Sequence, residues 1–286
     1  MGEALFQLLL DSAMNMYAAL RFLLMPALAF LILSILYRGS RWWPEMWTAL
    51  HETELSLKLI LFNTVVSAPL ISVLMTAFHG WIHANGLILF PKSAWEALPV
   101  PLVLFAALFF SDFTNYWRHR LEHTPILWPA HAVHHSDTEV TWLTSARWHP
   151  LNLLTMQGLA GTAMLMMGFP VWAVLFNSMM RGYYGFFIHA NLPWTYGKLG
   201  RHIVSPAMHR WHHSAEEKAF DKNFAEFFCV FDRMFGTYYL PGPCDGPVGV
   251  TDDIAPTLRG QIGFAFTPKA YKRLFTRKPT VKQATH

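Results

Sequence analysis

Eleven of the 15 histidines in this chain fall between positions 119 and 213, and nine of them form four groups whose spacing suits one face of a helix. They read HRLEH (His119, His123), HAVHH (His131, His134, His135), a single His189 in IHAN, and HRWHH (His209, His212, His213). Residues three and four apart on a helix project to the same side, so each cluster aims two or three imidazoles at a common point. Neutral imidazole is the commonest metal-ligating side chain. A structural zinc site closes with four ligands, and nine histidines exceed that need. Two metal ions sharing eight or nine imidazoles, without the Glu-x-x-His pairs of soluble di-iron bundles, describe an all-nitrogen dinuclear centre. Imidazole suits iron as well as zinc and copper.

Two other chemistries are open to the same residues. HRLEH also matches H-x-x-E-H, the motif of a single-zinc membrane peptidase in which Glu122 would be the general base. That reading uses one metal and leaves both H-x-x-H-H clusters unexplained. A non-enzymatic membrane haem or metal-binding protein would place its histidines inside the spans, facing the bundle interior, whereas these lie at span ends and in a polar cap.

The elements that must carry the clusters are apolar. With 53% hydrophobic and 14% charged residues, the chain is expected to be an all-α integral membrane protein. Charge-poor segments from about Met14 to Tyr37, Leu59 to Phe78 and Ala97 to Tyr116 are each long enough to cross a bilayer. The first is too long and too deep for a cleaved signal peptide. Residues 79–97 read as an interfacial connection, with His79 and His83 on its surface. Asp112 ends the third span and shares a helical stripe with Tyr116, His119 and His123, which predicts a carboxylate that accepts an imidazole N–H.

From Leu151 to Met180 no charge appears, about 45 Å of helix and too long for one crossing. The clusters on either side of it can meet only if the chain returns to the side it left. A helical hairpin over Leu151–Ile188, hinged at Gly168-Phe169-Pro170, satisfies that demand. Arg38, Arg41, Arg118, Arg120, Arg147, Arg181, Lys198, Arg201 and Arg210 gather at the histidine ends, placing the metal side and its helical cap in the cytoplasm. The whole chain, 1–286, reads as one membrane-embedded domain: N-terminal spans over 14–96, a histidine-box core over 97–240 and a tail over 241–286. A bacterial inner membrane is expected in preference to endoplasmic reticulum. Cys229 and Cys244 form no framework, and no nucleic-acid motif is present. Iron held where a bilayer opens to the cytosol suggests dioxygen chemistry on an inert C–H bond of a lipid.

At these residues the sequence resembles the fatty acid hydroxylase/sterol desaturase superfamily of membrane-bound di-iron oxygenases. The three boxes are flanked by DFTNYWRHRLEHTPILWPAHAVHHS, TSARWHP, FFIHANL, DKNF and FDRMFGTY, all similar to the family, across about residues 100–240. The resemblance implies two iron ions held by His119, His123, His131, His134, His135, His209, His212 and His213, with His189 as a further ligand. It also implies O2 as co-substrate and a fatty acyl, sterol, alkyl lipid or carotenoid substrate, hydroxylated or desaturated. Asn152 stands where many members carry an acidic residue, His149 is at most a support to a ligand, and His202 is a surface residue. No iron–sulfur, dinucleotide or cytochrome b5 signature is found, so electrons are expected from a separate ferredoxin- or cytochrome b5-type donor with its reductase.

Overall fold

A computed structural model describes residues 2–274, and the basic KPTVKQATH ending lies outside the described residues. The described residues contain no strand; the fold is all-helical. Among the described residues, three continuous helical stretches are long and apolar enough to cross a membrane: Met16–Thr48, Leu50–Ala84 and Val100–Glu122. The first comprises most of α1 (Gly2–Arg38), a short tight turn and α2 (Trp42–Thr48); the second joins α3 (Leu50–Phe62) to α4 (Ala68–Ala84) through a π-helical turn at Asn63–Ser67. After the short α5 (Lys92–Glu96), the third is α6 (Val100–Glu122). Large apolar side chains such as Leu24, Leu28, Ile32, Leu70, Val73 and Phe105 stay exposed along these helices, as a lipid-facing surface requires.

The second stretch begins earlier than its charge pattern suggests, because Glu52 is buried inside it. Its carboxylate faces the fully buried Arg147, whose Nε donates to Val133 O and whose Nη2 donates to Ser136 Oγ. The second span is thereby tied to the end of α7 (Trp128–His135), the helix carrying HAVHH. The π-helical turn contributes another tie: Asn63 Nδ2 donates to Trp148 O at 2.8 Å, and the Trp148 ring stacks on His134 at 4.3 Å.

The expected hairpin is present. Its first arm is α8 (Pro150–Thr155), a π-helical turn at Met156–Gly161 and α9 (Thr162–Met166); its second is α10 (Val171–His189). His149 caps α8 by accepting Leu151 N–H, a structural role. Gly168, at φ +67°, makes the turn and presses against the Phe90 carbonyl. The same connection clasps the turn through Leu89 N–H to Met166 O and Trp95 Nε1–H to Met167 O, each 2.7 Å. Ala107 and Ala173 are both fully buried, and these small residues let α6 and α10 approach closely.

The tail folds back over the histidine helices. In α13 (Leu258–Phe264), Phe264 packs on Trp128 and Ala132, and Gln261 Oε1 accepts Ser136 Oγ–H at 3.1 Å.

Candidate metal centre

Four elements bring the nine histidines together. His119 and His123 close α6, the next three occupy α7, His189 ends α10, and His209 and His212 lie on α11 (Pro206–His212) with His213 at its end. The short α11 begins where Ser205 caps it, its hydroxyl accepting the Met208 N–H at 3.2 Å.

The imidazoles sort into two adjacent groups, each with ligand nitrogens within 4.8 Å of one another: His119, His123, His131, His135 and His212 in one, His134, His189, His209 and His213 in the other. Within the first, the Nε2 atoms of His131 and His135 lie 3.1 Å apart. Within the second, His189 Nε2 lies 2.9 Å from His209 Nε2 and 3.3 Å from His134 Nε2. The groups touch where His135 and His213 stack at 4.4 Å.

These nitrogens fit metal ions. His119 Nε2, His212 Nε2 and both nitrogens of His213 are buried without a hydrogen-bond partner among the described residues, a costly state for a polar atom unless a ligand completes it. Burial, and then neighbouring imidazoles, hold His131, His134, His135, His209 and His213 well below the ordinary histidine range; His212 is lowered by burial first as well. All six are therefore neutral, the form that coordinates.

Opposite nitrogens are held by the protein. His119 Nδ1–H donates to Phe224 O at 2.9 Å, His212 Nδ1–H to Lys222 O at 2.7 Å, and His189 Nδ1–H to Gly185 O at 2.6 Å. Asp221 Oδ1 stands 3.4 Å from His123 Nδ1. One loop, DKNF, thus supports three histidines of the first group. Its left-handed residues Asp221 and Asn223 turn it, and Asn223 Nδ2 pins it to Met208 O and Tyr239 O. Asp232 accepts the N–H groups of Phe224 and Ala225. DKNF and FDRMFGTY thus hold the box histidines in place; their spacing alone carried no such signal.

The carboxylate supporting a ligand is not the one expected. Asp112 lies seven residues before His119, about 10 Å along the helix, beyond hydrogen-bonding reach. It instead accepts the N–H groups of Phe227 and Phe228 and pairs with Arg181 at 3.0 Å. Its support of His119 is indirect, through the segment that carries Phe224. Glu122 fills the direct role: it is 0% exposed, bound to Arg118 at 2.6 Å and to Thr155, and its Oε2 lies 3.3 Å from His131 Nδ1. That placement consumes the carboxylate which a peptidase would need facing its substrate. Asn152 contributes only Nδ2, 3.5 Å from His131 Nδ1. Glu122→Gln is expected to lower metal affinity by roughly 10–100-fold, the usual cost of losing such a partner. Competition against a chelator measures it, and unchanged retention would remove Glu122 from this role.

A cavity of about 510 Å³ opens onto both groups. His119, His134, His189 and His209 line one end, and Ala160, Gly161, Met164 and Val174 of the hairpin line another part. His79, read from sequence as a surface residue, also lines it and pairs with Thr162 Oγ1 at 3.1 Å. Of the nine basic residues that mark this side, Arg118, Arg147 and Arg181 are spent in buried ion pairs, which leaves Arg41, Lys198 and Arg201 exposed and Arg38, Arg120 and Arg210 partly so.

Residues 104–237 match the fatty acid hydroxylase family model. Among characterised proteins, the chain is 27% identical over 183 residues to the ornithine lipid hydroxylase OlsE of Rhizobium tropici, covering 63% of this chain and 55% of that protein. It is 31% identical over 147 residues to the alkylglycerol monooxygenase of Homo sapiens, 50% of this chain and 32% of that one. To the Delta(7)-sterol 5(6)-desaturase of Gibberella zeae it is 30% identical over 141 residues, 47% and 37%. The chain thus spans about half the length of the first relative and about a third of the other two. No solved structure matches it.

Proposed function

The chain belongs to the fatty acid hydroxylase/sterol desaturase superfamily, and on that premise we propose that it is a membrane-bound di-iron oxygenase acting on an unactivated C–H bond of a lipid. One observation carries the reading: nine histidines from four elements, eight of them buried and His123 half-buried, converge in two adjacent groups, and the cavity opening onto them runs into the membrane-embedded helices. Two irons, held by these nine side chains, would supply the oxidising power with O2. For hydroxylation, one oxygen atom enters the C–H bond and the other leaves as water, at the expense of two electrons and two protons.

The chain's own residues hold and orient. DKNF, Gly185 O and Glu122 fix the imidazoles of His119, His123, His131, His189 and His212, so these five present their metal-facing nitrogens without rearrangement. The cavity wall excludes bulk water from the lipid chain and brings one stretch of it to the histidines. Electrons come from a separate ferredoxin- or cytochrome b5-type donor and its reductase, docking on the cytoplasmic cap near Lys198 and Arg201; no nucleic acid is involved. The whole chain acts as one catalytic domain in a bacterial inner membrane.

The test is comparison of membranes carrying the active protein or its His213→Ala variant under ¹⁸O₂. The expected result is a lipid that gains one labelled oxygen, or loses two hydrogens, only with the active protein. An unchanged lipid profile in the presence of a competent donor system rules the reading out. Turnover by the purified protein with NAD(P)H alone removes the separate donor.

A further inference from the structure

The cavity below the histidines carries a charge pattern that lipid oxidation as such does not require. On α10, Arg181 faces two carboxylates, Asp112 at 3.0 Å and Glu226. Asp112 is fully committed, to Arg181 and to the N–H groups of residues 226–228. Glu226 gives Oε2 to Arg181, and its Oε1 accepts no hydrogen bond from any described residue. The Glu226 side chain is 29% exposed, and it lines the cavity. The other cationic side chain on this wall, Arg118, is already matched by Glu122. Arg181 against two carboxylates leaves one negative charge unmatched among these side chains, and of the two carboxylates only Glu226 lines the cavity.

A second observation is independent of this carboxylate. Asn177, 5% exposed and on the same cavity wall, donates Nδ2–H to Ser111 Oγ at 3.1 Å, and its Oδ1 has no partner among the described residues. Polar side chains at membrane depth are expensive and mark binding or transport sites. The uncommitted atoms here, one carboxylate oxygen and one amide oxygen, are both acceptors, so the group that satisfies them is a donor.

Position sets what this means for the reaction. A Cβ built on Gly185 would lie 3.2 Å from Glu226 Oε1, and Gly185 is one helical turn, about 6 Å, before His189. A head group bound at Glu226 therefore sits about one turn from the metal-facing imidazoles. Asn177 lies two further turns down α10, about 12 Å from Gly185, so the cavity wall carries acceptors at two depths.

We propose that the cavity takes the polar end of a lipid bearing an amine or hydroxyl donor, held on Glu226 Oε1, so that carbons next to the head are presented to the histidines. The terminal methyl of the tail points away from them, toward the exposed cavity residues Gln157, Gly161 and Ser178. This rests on the oxygenase reading for what happens to those carbons, but the recognition stands by itself. Free fatty acid and phosphatidate, whose heads are anionic, bring no cationic donor to Glu226 Oε1 and are repelled by its carboxylate at that contact.

The experiment uses the full-length iron-loaded protein in phosphatidylcholine nanodiscs, with three probes sharing one tail: oleylamine, monooleoylglycerol and oleate. Native mass spectrometry reads binding. The wild type is expected to bind the amine and the glycerol at least about 10-fold tighter than oleate. Glu226→Gln removes the charge but keeps an acceptor, so it should cut amine binding most, the glycerol less, and raise oleate binding. Equal binding of oleate and amine by the wild type overturns the proposal. So does a variant that weakens all three probes alike, the signature of a merely structural Glu226. With the donor system added, fragmentation locates the new oxygen: on carbons beside the head it supports the proposal, at the methyl end it overturns it. Selective binding without any oxygen-dependent turnover would reject the oxygenase reading and leave the recognition of donor-bearing lipids intact.

Discussion

Replacing His189 by Ala is expected to abolish turnover and to lower bound iron from about two ions per chain to about one. His189 is the hinge of the group of four: its Nε2 lies 2.9 Å from that of His209 and 3.3 Å from that of His134, while its Nδ1–H is fixed on Gly185 O. Removing it opens a gap in one metal position and leaves the five imidazoles of the other in place. His131→Ala should do the converse, emptying the group of five and freeing Glu122, which is buried beside Arg118 and keeps that partner. The control is His202→Ala, a histidine that is exposed and belongs to neither group, for which full iron and activity are expected. Elemental analysis of purified protein with turnover in parallel decides: a His189→Ala protein that retains both ions and full activity is incompatible with the two-group assignment.

The legible part of this fold came from a constraint, not from propensity. The run from Leu151 to Met180 is uniformly apolar, and periodicity alone does not say whether it crosses once or turns back. The demand that histidines before and after it share one centre forces the turn, and Gly168 and Pro170 mark where a helix can break. The histidines were legible for a related reason, since clusters at three- and four-residue spacing are local and survive any tertiary arrangement.

Contacts made across long separations were not legible. Glu122 sits one residue from His123, so the sequence offers it as a base beside a ligand; only the fold of α7 back against α6 shows it turned toward His131 Nδ1. Asp112 lies on the right stripe of α6 but too far along the axis, and its partners, 69 to 116 positions downstream, were invisible. Glu52 meets Arg147 across 95 positions, and a charge near the end of an apolar run gives no hint of a buried partner. His79 was judged by its neighbours in sequence, which are exposed, whereas Thr162 of the hairpin approaches it from the other side.

The hinge of the hairpin carries the largest expected effect on the fold. Gly168 combines φ +67°, which an L side chain adopts only with strain, with a Cβ position 1.9 Å from the Phe90 carbonyl oxygen. The obstacle is backbone, and that backbone is fixed by Leu89 N–H to Met166 O and by Trp95 Nε1–H to Met167 O. Gly168→Leu therefore cannot be absorbed by a rotamer change; strain alone costs on the order of 1–3 kcal/mol, and the clash opens the clasp as well. Once the clasp opens, Trp95 leaves the Phe169 ring on which it stacks at 4.2 Å, and Phe169 leaves its cluster with Val103, Ala107, Met164 and Ala173. These residues register α10 against α6, and the two helices carry His189 and His119 into one centre. The expected outcome is a protein that still inserts in the membrane but melts earlier and has lost its metal. Gly158→Ala in the first arm, where nothing lies within 4 Å of an added Cβ, should be silent. The same geometry requires single cysteines at Thr141 and Trp194, which flank the hairpin, to be labelled from one side of the membrane. Opposite sides in active protein would separate the histidine groups by a bilayer of ~30 Å, against the ~2 Å of a metal–nitrogen bond, and the centre described here could not exist.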